Sequence, residues 1–120
     1  MRYRDRRGTA RVTHRPDLGL QIAGRPAAIE VELQRKTRAR LIGILSMYAE
    51  HSDGDDAQLY GVLYVCDRDD VADAVKRAAI DAGLDAPAIS FRTLHGVVEQ
   101  ARTAGRSHER AAGSANGVVR

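Results

Sequence analysis

Leu59 to Cys66 reads LYGVLYVC, an unbroken apolar run. Such a run marks a strand buried on both faces. What surrounds it must therefore supply cover and neighbouring strands. Upstream, Leu41, Ile44, Leu45 and Tyr48 fall at helical spacing, widened by Ile42 and Met47, so 37–50 is expected to be a mostly buried helix. His51 to Asp56 reads as a solvated loop. Downstream, Asp67 is placed to cap a second helix, with Asp69 and Asp70 in its first turn. Val71, Ala74, Val75, Ala78 and Ala82 form its apolar stripe, and Gly83 ends it. Ala88–Arg92 is expected to be a last short strand, followed by a helix capped by Thr93 with Leu94, Val97, Val98 and Ala101 inward.

Nearer the N-terminus the period is two. His14-Arg15-Pro16-Asp17 is turn-like. Leu18, Leu20 and Ile22 then alternate with Gly19, Gln21 and Ala23. After a turn at Gly24-Arg25-Pro26, Ala27, Ile29, Val31 and Leu33 share one face and Ala28, Glu30 and Glu32 the other. The pair reads as an antiparallel hairpin whose apolar face is the Ile29 side and whose polar face carries the glutamates. The expected class is a small layered α/β domain, a mixed central sheet flanked by helices in the order β-β-α-β-α-β-α. A further strand in residues 9–13 can precede it. Residues 1–10 form a basic arm, 11–102 the domain, and 103–120 a Gly/Ala/Ser/Arg tail expected to be disordered.

At 120 residues the chain has the length of one domain. Hydrophobic residues make up 43% but aromatics only 4%, with no Trp, so the expected core is small and aliphatic. No apolar stretch approaches the ~20 residues of a membrane helix, and MRYRDRRGTAR has no apolar core of a secretory signal. The single cysteine, Cys66, excludes a disulfide framework and a cysteine-based zinc site, and reads as a small core residue. The expected compartment is the cytoplasm. The net charge is +3, and only Lys36 and Lys76 among the basic residues are lysine. Arginine suits bidentate phosphate contacts, which points to an anionic partner.

The chemistry-bearing feature is the polar face of the hairpin. Glu30 and Glu32 lie ~7 Å apart along one strand. Asp17 begins its partner, and Arg35 and Lys36 follow at the start of the next helix. Carboxylates on a strand with apolar neighbours are costly unless they meet water, cations or a metal. Asp17, Glu30, Glu32 and Lys36 together make a hard-oxygen site suited to Mg²⁺ or Mn²⁺. The bland readings are also concrete: Asp17 as a turn cap, the glutamates as a solvated strand face, and the arginines as an exposed helix start. His14 reads as a surface histidine rather than one facing the site. His51, His95 and His108 show no ligand spacing. Tyr48, Tyr60 and Tyr64 read as core.

The constellation Pro16-Asp17, then Glu30-Val31-Glu32, then a helix resembles the PD-(D/E)XK nuclease superfamily, and the element order resembles its restriction-endonuclease-like core. HRPDLGLQIAG, AAIEVELQRKTRARLIGILSMYA and YGVLYVCDRDDVADAVKRAAIDAGL resemble the C-terminal part of actinobacterial replication-relaxation family proteins, associated with plasmids and mobile elements. The resemblance spans residues 11–101. It implies that Asp17 and Glu30 are metal ligands, with the Val31 carbonyl a third, for Mg²⁺ or Mn²⁺. Glu32 stands where the superfamily has Lys, and Lys36 is the nearest cation to replace it. The acidic N-terminal helix of the superfamily has no counterpart.

The function implied is metal-dependent hydrolysis of DNA phosphodiesters, with Arg15, Arg35, Arg38 and Arg40 on the DNA backbone. A catalytically inactive nuclease-fold module that binds DNA, or that assembles with replication or transfer proteins, is the alternative. A small protein-interaction domain is a third reading, and a short exposed sheet leaves homodimerisation open.

Overall fold

The computed structural model describes residues 2–4, 11–52 and 57–119, with side chains described at 14–52 and 57–106. Arg2–Arg4 (β1) and Arg11–Thr13 (β2) pair antiparallel as a small ribbon of their own. β2 falls within the strand expected at 9–13. β1 lies inside the stretch read as a basic arm, whose Arg-rich composition carries no strand signal.

Leu18–Ile22 (β3) and Arg25–Glu32 (β4) form the expected hairpin. The turn sits earlier than its Gly-Arg-Pro signal implied. Ala23 (φ 52°) and Gly24 (φ 77°) are both left-handed, which is the two-residue turn whose twist matches a hairpin. Pro26 is thereby a strand residue. It is tolerated because it sits opposite Gln21 while its carbonyl turns the other way, accepting the Tyr60 N–H at 2.9 Å.

Thr37 caps the first helix, Arg38–Ser52 (α1), its hydroxyl accepting the Arg40 N–H at 3.3 Å. Lys36 therefore precedes the helix. Gly61–Cys66 (β5) follows, then Asp69–Ala82 (α2), Ile89–Thr93 (β6) and Leu94–Val119 (α3). Asp67 does not cap α2. Arg68 holds the cap position in an extended conformation without a side-chain cap bond. The Arg68 side chain instead grips Asp70, its guanidinium holding that exposed carboxyl below the usual range. Thr93 does cap α3, accepting the Gly96 N–H at 2.9 Å. α3 continues to Val119, through the stretch that composition read as disordered.

The four-stranded sheet has the order β3-β4-β5-β6. β4, β5 and β6 are parallel, and β3 is antiparallel to β4. The two crossovers step the same way across the sheet. With the right-handed crossover nearly all proteins use, α1 and α2 lie on one face. Between them and the sheet sits the core of Leu41, Ile44, Leu45, Met47, Tyr48, Val71, Val75 and Ala78 against Ala28, Val62, Tyr64, Cys66 and Ile89. β5 is central, as its apolar run required. The aromatic content is small, yet Tyr48 and Tyr64 are the largest fully buried side chains. Tyr60 departs from its expected core role: it is half exposed, with the Arg25 guanidinium 5.8 Å from its ring centre.

The faces of β4 are the reverse of the expectation. Register places Ala28, Glu30 and Glu32 beside Val62, Tyr64 and Cys66, on the side that α1 and α2 cover. Glu30 is 3% exposed and Glu32 4%. Ile29 and Val31 are only half-buried on the opposite side, Leu33 is exposed, and so are Leu18, Leu20 and Ile22 of β3. Hydropathy alone assigns the glutamates to solvent. The structure buries them because each has a polar partner inside.

Candidate functional site

Glu30 stands near the C-terminal end of the covered face of β4. Its Oε1 accepts the Tyr48 hydroxyl at 2.5 Å and lies 2.7 Å from His14 Nε2. Tyr48 comes from α1 and His14 from the segment after β2. The two rings meet edge to face, centroids 5.9 Å apart. His14 is thus not the surface histidine expected. Its side chain is only 12% exposed and faces the carboxylate. Burial pushes the Tyr48 phenol far above its ordinary value, and the hydrogen bond to Glu30 adds to that rise. Burial raises Tyr64 likewise, with Glu30 and Glu32 adding to it. Both phenols are therefore neutral, and Tyr48 is a fixed donor.

Glu32, the next residue on that face, is paired with the ammonium of Lys36. The loop between β4 and α1 carries Lys36 back over the strand end, so a residue four positions on reaches the carboxylate. Asp17 lies one residue beyond the Leu18–Ile29 pair, across the hairpin from Glu30. It is exposed, and its Oδ2 accepts the Val31 N–H at 2.8 Å. The hairpin thus brings Asp17, Glu30, Glu32 and Lys36 to one end of the sheet, with His14 and Tyr48 behind them.

The basic residues separate. Arg38 pairs with Asp81 of α2, joining the two helices on their exposed sides. Arg15, Arg35 and Arg40 are exposed. Among the described residues none of the four makes a hydrogen bond or ion pair with Glu30 or Glu32.

His14 and Tyr48 escaped the sequence reading for a definable reason. Their links to Glu30 span 16 and 18 residues, and neither carries a local motif. The available signal was the buried phenol itself, since a tyrosine in a helix's apolar stripe needs a partner for its hydroxyl.

A divalent cation is a test of the donor set. Glu30 and Glu32 each use Oε1, and no hydrogen bond among the described residues takes their Oε2 atoms. An ionised carboxylate has about four acceptor positions, so capacity remains. Hard oxygens of this kind suit Mg²⁺ or Mn²⁺. Among the described residues, no three of His, Cys, Asp and Glu stand grouped as a ready metal cage. Cys66 is buried at the end of β5, and burial pushes its thiol up, which is the environment of an inert core cysteine.

No family model matches the chain, and neither a curated protein nor a solved structure is similar enough to count as a match. The structure defines a small α/β domain with a four-stranded mixed sheet. Among the described residues no helix is long and apolar enough to cross a membrane.

Proposed function

We propose that this chain is a nuclease-like domain acting on DNA phosphodiesters, with Asp17, Glu30 and Glu32 as carboxylates for Mg²⁺ or Mn²⁺ and Lys36 as the associated cation. The observation that carries this reading is the return of Lys36 onto Glu32. It sets an ammonium beside the carboxylates although the strand itself carries Glu where the resembled superfamily has Lys.

When bound, the metal supplies charge for the scissile phosphate and a water of lowered pKa. The chain's own groups do the rest. Tyr48 and His14 hold Glu30 in one orientation. Lys36 offsets the charge of Glu32 and stands ready to orient a water or a phosphate oxygen. Asp17, tied to the Val31 N–H, fixes the hairpin end that faces the substrate. Arg15, Arg35 and Arg40 supply exposed positive charge for the backbone. Partners in plasmid or mobile-element replication and transfer belong to the same proposal.

The alternative is a DNA-binding module that has lost the chemistry. It is favoured by the engagement of one oxygen of each glutamate in bonds within the protein. Purified protein with supercoiled plasmid and Mg²⁺ or Mn²⁺ separates the two. The nuclease reading expects nicking that is lost in Asp17→Ala and Lys36→Ala variants that remain folded by circular dichroism. Salt-sensitive DNA binding without nicking supports the alternative. Nicking indifferent to both substitutions overturns the assignment of the site.

A further inference from the structure

Among the described residues β3 is an edge strand, with an unusual sequence for one. Leu18–Ile22 carries no charged side chain, although 29% of the chain is charged. Natural edges are normally blunted by Lys, Pro or a bulge. Here Leu18, Leu20 and Ile22 stand 58%, 52% and 38% exposed on one face.

The hairpin fixes which main-chain groups face outward. After a two-residue turn the flanking pair, Ile22 and Arg25, is hydrogen-bonded, and the bonding then alternates along the register. Leu18, Leu20 and Ile22 thus spend their N–H and C=O groups on β4. The Pro26 carbonyl, turned toward Tyr60, agrees with this phase. The groups of Gly19 and Gln21 therefore point to the open edge.

We propose that this edge joins a second copy of the chain, β3 to β3, antiparallel about a two-fold axis through Leu20. The sequence of the strand is self-complementary in that arrangement. Gly19 meets Gln21 of the second copy, so the outward donors and acceptors satisfy each other. Leu20 meets itself and Leu18 meets Ile22, both in the non-hydrogen-bonded positions where cross-strand Cα atoms come closest, about 4.5 Å. Every apolar side chain of the strand gains an apolar partner. Two copies, each with net charge +3, meet along a strip that brings no charged side chain of the strand against another. The two sheets become one of eight strands, and the contact is isologous as a two-fold requires. The interface is small, so association is weak and concentration-dependent.

Sedimentation of the intact chain over about 10–500 µM, the regime of small interfaces, should show a monomer–dimer equilibrium. Leu20→Lys places like charges directly opposite and should raise the dissociation constant at least about tenfold. Leu20 is solvent-exposed, so the variant stays folded. Register is read by cysteine cross-linking, since facing non-hydrogen-bonded positions fall in the disulfide Cα window of about 4.4–6.8 Å. Leu20→Cys should cross-link with itself. Leu18→Cys and Ile22→Cys should each fail to cross-link alone and cross-link when mixed. A chain monomeric throughout the range overturns the proposal. So does a dimer indifferent to Leu20→Lys, or equal cross-linking of all three cysteines.

Discussion

The Tyr48 hydroxyl donates to Oε1 of Glu30 at 2.5 Å, a bond between two buried groups that lie 18 residues apart. It ties α1 to β4, and His14 meets both partners there. Tyr48→Phe keeps the ring and deletes the donor. We expect a loss of about 1–3 kcal/mol, the cost of leaving a buried acceptor short of a partner. The urea midpoint should fall by roughly 0.5–2 M at the slope usual for this size. An unchanged midpoint would show that the bond contributes nothing.

Glu32 and Lys36 form a pair of unequal burial, with side chains 5% and 23% exposed. Lys36→Met strands the glutamate and is expected to cost about 1–3 kcal/mol, less than a fully buried pair because water reaches the ammonium. Glu32→Leu with Lys36→Met should return to within about 1 kcal/mol of the parent, since no unpaired charge is left. The double-mutant cycle measures the coupling. Additive losses would mean that the two side chains do not interact.

Stability should fall at alkaline pH. Burial raises the folded-state values of Tyr48 and Tyr64 above their ordinary 10.0. Below that value both states are protonated and the contribution is fully present. Above it the unfolded chain releases protons that the folded chain retains, so stability declines as pH rises. The slope is at most about 1.4 kcal/mol per pH unit for each phenol. Urea midpoints between pH 9 and 11 test this; Tyr48→Phe should reduce the slope, and the Cys66 thiol, also pushed up by burial, contributes with the same sign.

Gly61 opens β5 where a Cβ would stand 2.6 Å from the Ala88 carbonyl oxygen. That oxygen is fixed, because it accepts the Val62 N–H at 2.8 Å. Gly61→Ala must therefore displace backbone, at an expected cost of about 1–3 kcal/mol. Gly19→Ala, whose nearest neighbour is at 4.0 Å, is the control and should change little.

If the carboxylates hold a cation, Mn²⁺ at one hundred times its dissociation constant should stabilise the folded chain by about 2.7 kcal/mol. Thermal melts with and without Mn²⁺ read this independently of any DNA cleavage. Glu30→Gln, which keeps the Tyr48 bond, should abolish the gain. Stabilisation that survives Glu30→Gln would place the ion elsewhere.

Much of the architecture was legible in local pattern. The apolar run at 59–66 marked the central strand, Thr93 marked the start of α3, and the two alternating segments marked the hairpin. What failed was the choice of face on β4. Alternation defines two faces but not which is covered. Ile29, Val31 and Leu33 look more suited to a core than Ala28, Glu30 and Glu32. The outcome depended on His14 and Tyr48, far away in sequence, and on a loop that returns Lys36. Such partners leave no periodic trace. The same limit explains Tyr60, whose position just before β5 leaves it at the rim rather than beneath a helix.

The inverted face of β4 bears on how this chain avoids misassembly. A slip of one residue would set Ile29 and Val31 under α1 and return both glutamates to water, which greasiness alone would prefer. The native pairing wins through a few hydrogen bonds and one ion pair, so the buried acids act as a key that only one alignment accepts. Replacing both with leucine would make each side of the strand equally acceptable to the helices. Such a variant would gain hydrophobicity and lose the instruction that tells the strand which way to face.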